Sequence, residues 1–340
     1  MAHAPHPHPR AVVLKRRPAG EPTPEDFDVR SIPMPVAEPG QVVTETIWLS
    51  IDPYMRGRLW EEQTYAVAIQ PGEVMTGETV GVVTATLHPG FTVGDFVLGP
   101  RGWASHLVTD GDKLLKLPPD PAILSAYLGI LGMPGTTAFA GVTEICKPQA
   151  GETFVVSAAS GAVGSVAGQL AKRAGARVVG IAGGADKCLW VQDTLGFDAC
   201  VDHRTMDLRR ELQAACPDGI DCYFENVGGA VQAAVFDLLN RHARVAMCGM
   251  VSQYNEKTFP PGPNLGFVVG KAILVQGFIV SDNPQRFIDW RGMATPLVAD
   301  GTLVYREDVV EGLENAPAAL TGILAGRNFG KLLVRVSHPH

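Results

Sequence analysis

The chain is short of thiols. Its six cysteines all fall between Cys146 and Cys248, and no CxxC pair occurs. That spacing excludes a disulfide scaffold and a four-cysteine structural zinc lobe, and it suits reduced thiols in a cytoplasm. Positive charge is scarce as well: 28 lysines and arginines against 35 acids leave a net charge of −7. A nucleic-acid or anionic-membrane partner needs a basic face, so neither is expected. No apolar run approaches the ~18 residues of a membrane span. The start, MAHAPHPHPR, lacks the apolar core of a secretory signal, and no N-x-S/T acceptor occurs. The expectation is a cytosolic protein. Residues 1–10, with three histidines and three prolines, read as a disordered tail rather than a metal site.

What is present is an ordinary soluble core: 46% hydrophobic and 19% charged over 340 residues, enough for two domains of ~100–200 residues each. From residue 11 to about 116 short β-type segments (AVVLKR, VVTETIWLSI, ETVGVVTATL, DFVLGP, WASHLV, KLLKLP) alternate with Pro and Gly punctuation, which predicts a β-rich domain or partly open barrel. Helical spacing begins in ILSAYLGILG. Strands are then expected at 176–182, 198–202, 220–225, 243–248 and 273–279, with amphipathic segments such as DLRRELQAAC and VQAAVFDLLNR between them. That alternation predicts an α/β domain with a doubly wound parallel sheet. The final strand, KLLVRV, is expected to return to the first domain. The resulting division is residues 11–130 and 302–340 against 131–301.

The stretch TFVVSAASGAVG, residues 153–164, joins an apolar strand to a helix through small residues. This arrangement turns backbone N–H groups and a helix dipole toward a pyrophosphate. Ala159, Gly161 and Gly164 spell AxGxxG, so the usual first glycine is missing, and six such letters also occur in ordinary buried turns. The preceding strand, the following helix and a second strand at βαβ spacing make it a dinucleotide site. NAD sites of this design carry an acid about twenty residues after the turn. Here Ala182, Gly183 and Gly184 end the second strand and Lys187 follows, which leaves room and a cation for the 2′-phosphate of NADPH. Other strings carry no chemistry. GFVVGKA is one residue short of a P-loop and has Ala272 where Ser or Thr must reach magnesium, no GxSxG elbow occurs, and the pairs Glu61/Glu62 and Asp207/Glu211 read as solvated faces.

In order, LSIDPYMRGRL, GEVMTGETVG, VGDFVLG, LGMPGTTAFAG, AASGAVGSVAGQLAK, GFDACVDHR, DCYFENVGG, CGMVSQYN, QGFIV and NFGKLLVRV span nearly the whole chain. Through them the sequence resembles the zinc-independent medium-chain dehydrogenases/reductases. Within these it is similar to the NADPH-dependent alkenal/one oxidoreductases, the leukotriene B4 12-hydroxydehydrogenase/prostaglandin reductase and curcumin reductase group. The resemblance implies a GroES-like catalytic domain split around a Rossmann domain, an active site in the cleft between them, and a homodimer. Where zinc-dependent relatives place Cys and a GHE triplet, this chain has Ser50, Ile51 and Asp52, and Thr76, Gly77 and Glu78. No metal is therefore expected, and hydride transfer without a Lewis acid favours a conjugated carbon acceptor over a simple alcohol.

The resemblance also implies the site. Gly161, Ala162, Val163 and Gly164 line the pyrophosphate. Met133 and Thr137, Asn226, and Cys248, Gly249, Ser252 and Tyr254 follow the nicotinamide side, with Phe278, Ile279, Val280 and Asn328 closing over it. His203 stands near a position where the family often has Tyr, so its adenosine-side role is open, with Arg204 as the other candidate. Hydride attack at the β-carbon of an enone puts charge on the carbonyl oxygen, which needs a hydrogen-bond donor. Tyr254 is that donor, acting with the cofactor ribose hydroxyl, while the source of the proton for the α-carbon, Tyr254 or water, stays open. Tyr54, Asn255 and Arg56 are the substrate-side candidates, Arg56 equally as a brace. The expected activity is NADPH-dependent reduction of α,β-unsaturated ketones or aldehydes. The alternatives are a quinone reductase, an allylic-alcohol oxidation, and a catalytically silent NADPH-binding sensor or structural protein.

Overall fold

The computed structural model describes residues 8–61, 67–258 and 260–338, so residues 1–7 of the expected tail and Glu62 lie outside the described residues. The chain divides into two compact units, residues 1–128, 307–328 and 332–340 in one and 129–306 with 329–331 in the other. The first unit opens with a two-stranded antiparallel pair, β1 (Arg10–Leu14) and β2 (Phe27–Ser31). Arg10, placed in a tail by the sequence reading, starts β1, and its guanidinium meets Glu314 at 3.1 Å. β2, FDVRS, alternates only over Phe27 to Arg30 and buries only Phe27, too short a signal to anticipate; its pairing with the buried AVVL of β1 makes it a strand. The larger sheet is built on β3 (Gln41–Ser50), which pairs antiparallel with β4 (Glu78–Thr86) and β6 (His106–Asp110). β5 (Phe96–Arg101) and β7 (Leu115–Lys116) continue it on the β4 side. Its filling includes Leu14, Leu49, Met55 and Trp103, all fully buried.

The helix expected in ILSAYLGILG is a correction: residues there form only the 3-10 turns Pro121–Ile123 and Ser125–Leu128. Gly129 and Gly132 weaken continuation, and Pro134 starts the true helix α1 (Met133–Ala140) instead. The second unit then alternates strand and helix: β8 (Thr153–Ser157), α2 (Gly164–Arg173), β9 (Arg177–Ala182), α3 (Ala185–Asp193), β10 (Ala199–Asp202), α4 (Leu208–Ala215), β11 (Ile220–Glu225), α5 (Gly229–Leu238), β12 (Leu239–Met247), α6 (Gly266–Gly270), β13 (Leu274–Gly277) and α7 (Gln285–Ala299). The parallel sheet runs β10-β9-β8-β11-β12-β13, so the chain winds outward from β8 to one edge and then from β11 to the other, the Rossmann arrangement. All five residues of β8 are buried, as a central strand covered on both faces requires. Phe154, Val155 and Val156 there each contribute about 1.5–3 kcal/mol relative to exposure. The polar ligands of such a fold bind beyond the strand C-termini, where β8 and β11 part.

The chain ends in the first unit, to which residues 332–340 belong. β14 (Glu307–Glu311) and α8 (Ala316–Leu324) lead to β15 (Lys331–Arg335), which pairs antiparallel with β3 through Leu333 opposite Ser50. This is the GroES-like half of the fold.

Candidate functional site

The cradle begins at Ser157, the last residue of β8. Ala158 follows with φ +52°, the left-handed turn that the strand-to-helix reversal demands, and Gly161 N donates to Ala158 O at 2.9 Å. No side chain caps α2, so its first turn faces outward with backbone donors. A Cβ on Gly164 would lie 2.4 Å from the Ala158 carbonyl oxygen, so only glycine lets the helix start this close to the turn. Gly161 is less constrained, its nearest neighbour being the same oxygen at 3.1 Å. The missing first glycine has an explanation as well. Ala159 is fully buried against Gly180 of β9, where a Cβ would come within 2.8 Å of the Ala159 methyl. The glycine has moved to the facing strand. Beside the turn, Gly330 bridges to Gly161, and Phe329 is packed edge-on to Trp190 (5.3 Å) and under Arg306 (4.0 Å).

At the ends of β9 and β10 three basic residues converge. Lys187 stands in the first turn of α3, and Gly184, at φ +101°, precedes that helix. Asp202, which the sequence reading passed over, ties the corner: its Oδ1 accepts Gly184 N at 2.9 Å and Arg204 N at 3.0 Å. Partial burial pushes its carboxyl up, but those amides and the charges of His203 and Arg204 hold it below the usual range. A Cβ on Gly183 would sit 2.7 Å from His203 Nε2 and 3.3 Å from Arg204 Nε. The imidazole and guanidinium thus lie across glycine backbone. Partial desolvation of the ring, with Arg204 and Lys187 adding to it against Asp202, lowers the His203 pKa. Glycine backbone at Gly183 and Gly184, fringed by Lys187 and Arg204, fits a phosphate-bearing ribose.

The other end of the candidate site gathers at β11 and β12. Asn226 N donates to Ser157 Oγ and Asn226 Nδ2 to Ser157 O, both at 2.8 Å, fixing this residue at the parting of β8 and β11. The loop after β12 hangs on the same turn: Val251 N reaches Asn226 O at 3.1 Å, and Ser252 gives Val227 O both its N–H (2.9 Å) and its hydroxyl (2.6 Å). Tyr254 follows the 3-10 turn Val251–Gln253, half-buried, with its hydroxyl 2.9 Å from where a Gly249 Cβ would be. Cys248 is a thiol pushed up to about 12 by burial, which keeps it inert. Phe278 meets Phe224 edge-on at 6.3 Å, Ile279 is exposed, and Val280 begins a 3-10 turn. Met133 and Thr137 lie one turn apart on α1, joined by Thr137 Oγ1 to Met133 O at 2.8 Å. The sequence reading missed Ser157 and Glu225. The signal for Ser157 was one hydroxyl ending an otherwise apolar strand; the FEN triplet gave none for Glu225.

Tyr54, Arg56 and Asn328 belong to the first unit. Tyr54 lies in the 3-10 helix Pro53–Leu59, its phenol pushed well above its ordinary pKa by burial and by Asp52. Arg56, 0% exposed, places one Nη 2.9 Å from Gly20 O and its guanidinium 3.8 Å from the Trp60 ring, and burial lowers it to about 10. Ser50 Oγ donates to Asp52 Oδ2, so the positions that would carry a zinc thiolate instead close on each other. Among the described residues no three His, Cys, Asp or Glu side chains converge as a metal site. This donor set does not fit a catalytic zinc.

Known proteins resemble the chain along nearly its full length. Residues 10–117 match the family described as N-terminal domain of oxidoreductase, and residues 162–299 the family described as zinc-binding dehydrogenase. The NADPH-dependent curcumin reductase of Escherichia coli (strain K12) is 45% identical over 334 residues, 96% of this chain and 97% of that protein. The 2-alkenal reductase (NADP(+)-dependent) of Nicotiana tabacum is 41% identical over 334 residues, 96% and 97% of the two chains. The structure of CurA in complex with NADPH from Vibrio vulnificus is similar at a TM-score of 0.93 and 44% identity, covering 97% of this chain and 100% of that one.

Proposed function

The chain belongs to the zinc-independent medium-chain dehydrogenases/reductases, in their alkenal/one oxidoreductase group, and on that premise we propose that it reduces the carbon–carbon double bond of α,β-unsaturated ketones and aldehydes with NADPH. The curcumin, alkenal and NADPH named for its relatives support this reading. NADPH, when bound, supplies a hydride to the β-carbon of the acceptor. Gly161, Ala162, Val163 and Gly164 hold the pyrophosphate, and Lys187, Arg204 and His203 receive the 2′-phosphate. Met133, Thr137, Asn226, Cys248, Gly249, Ser252, Phe278, Ile279, Val280 and Asn328 hold the nicotinamide half.

Addition at the β-carbon moves charge to the carbonyl oxygen, and Tyr254 donates its phenolic hydrogen bond there. Tyr54 and Asn255 are the acceptor-side residues. Arg56 acts through Tyr54, bracing the short helix that carries it. The observation that carries the assignment of Tyr254 is its loop, fastened by Val251 and Ser252 to the turn where β8 and β11 part. Tyr254→Phe is expected to lower kcat about 100-fold while NADPH affinity stays within about threefold. Turnover equal to the unaltered protein would remove Tyr254 from the mechanism.

We also place the protein in the cytosol, as a homodimer. No single helix among the described residues is long and apolar enough to cross a membrane. Support for the dimer comes from β13, an edge strand whose four residues are all exposed, next to Leu265 and Val269 at 67% and 85% exposure. Such an edge invites a second strand.

A further inference from the structure

At the end of β11 the chain buries an acid whose partners are hydroxyl and amide groups. Glu225 is 0% exposed. Its Oε1 accepts Ser157 Oγ at 2.9 Å, Val227 N at 2.7 Å and Gly228 N at 3.0 Å. Its backbone oxygen takes Cys248 N at 3.0 Å and Gly249 N at 3.1 Å. Oε2 is buried, with the buried Tyr223 hydroxyl beside the same carboxyl. A buried carboxylate of this kind opposes folding unless its hydrogen bonds do something the fold needs.

What they do is set a turn. Ser157 passes the restraint to Asn226, whose N–H it accepts, and Oε1 gathers the next two amides, so residues 226–228 are held from one oxygen. That turn in turn supplies the two carbonyls, Asn226 O and Val227 O, on which the Tyr254 loop rests. We propose that Glu225 is a positioning residue for the nicotinamide half of the site: through Oε1 it orients Asn226 and the loop carrying Tyr254. The proposal rests on the reductase reading of that half. Groups held by a rigid supporting layer keep reacting geometry to within fractions of an ångström, and a misplacement of 1 Å costs about 100-fold in rate.

Glu225→Asp tests it, because the carboxyl group stays while its oxygen withdraws by one methylene. Three quantities are measured: kcat with a simple enone, the emission of bound NADPH, and affinity for adenosine 2′,5′-bisphosphate, which occupies only the adenosine half. The expected result is an about 100-fold loss of kcat with bisphosphate affinity within about twofold, and Glu225→Gln, which keeps an oxygen at the Oε1 place, restoring turnover to within about tenfold of the unaltered protein. Undiminished kcat in Glu225→Asp, or a parallel loss of bisphosphate affinity and thermal stability, overturns the proposal; the second outcome makes the residue structural only. Should Glu225→Asp not fold, Ser157→Ala removes the hydroxyl between Glu225 and Asn226, and the same split is expected at about tenfold. If the unaltered protein reduces no enone, the reductase reading fails. The positioning claim is then decided by the emission shift on NADPH binding, which Glu225→Asp must abolish and Glu225→Gln must retain.

Discussion

The proposed function gives the choice of nicotinamide cofactor to Lys187 and Arg204, because Gly183 and Gly184 offer only backbone where an NAD enzyme presents an acid. Each charge-assisted contact to phosphate is worth about 1.5–3 kcal/mol. Lys187→Ala is therefore expected to raise the NADPH Michaelis constant about 10- to 100-fold and to leave the NADH constant unchanged, as steady-state kinetics with the two cofactors will show. Lys187 stands out in the sequence, since a small uncharged strand end followed by a lysine is a local pattern. Asp202 and Glu225 do not. Asp202 works by accepting amides from residues 184 and 204, and Glu225 by accepting a hydroxyl from residue 157. An acid's burial and partners are set by strands far away along the chain, which no local spacing reveals.

The element that defines the site is the β8–turn–α2 unit, and its packing rests on missing side chains. Gly164 clears the Ala158 carbonyl, Gly168 clears the Phe197 ring, and Gly180 clears Ala159. Gly180→Ala is expected to destabilise by about 1–3 kcal/mol through overpacking, read as a fall in melting temperature. Adding Ala159→Gly should recover part of that loss, since it restores the glycine to the turn; the neighbouring Val191 and Cys200 keep the recovery incomplete. Strictly additive losses would show that the two positions do not share one space. Strand–turn–helix order was readable from TFVVSAASGAVG because apolar continuity and the switch to small residues are both local. The compensation between Ala159 and Gly180 was not, because it crosses two parallel strands. Residues 123–132 misled for a related reason. Leu and Ala at helical spacing favour a helix, but Gly129 and Gly132 divide the run, and α1 starts only at Met133.

Over the whole molecule, the alternation of strands and helices and the return of KLLVRV to β3 could be read from the sequence, since hydrophobic period and chain order carry them. The homodimer is expected from the family resemblance alone, because an edge strand such as LVQG looks like any short apolar run until its position in the sheet is known. Val275→Lys, placing a charge on that exposed edge, is expected to convert a dimer of 36.2 kDa chains to monomer in light scattering; a monomeric unaltered protein would refute the dimer. The reaction itself belongs to the complete molecule. It is tested most directly by supplying NADPH deuterated at the transferable position together with an enone, and locating the label in the product. A saturated ketone with deuterium on the β-carbon is the predicted result. Deuterium on the carbonyl carbon of an allylic alcohol, or consumption of NADPH only with quinones, would contradict it.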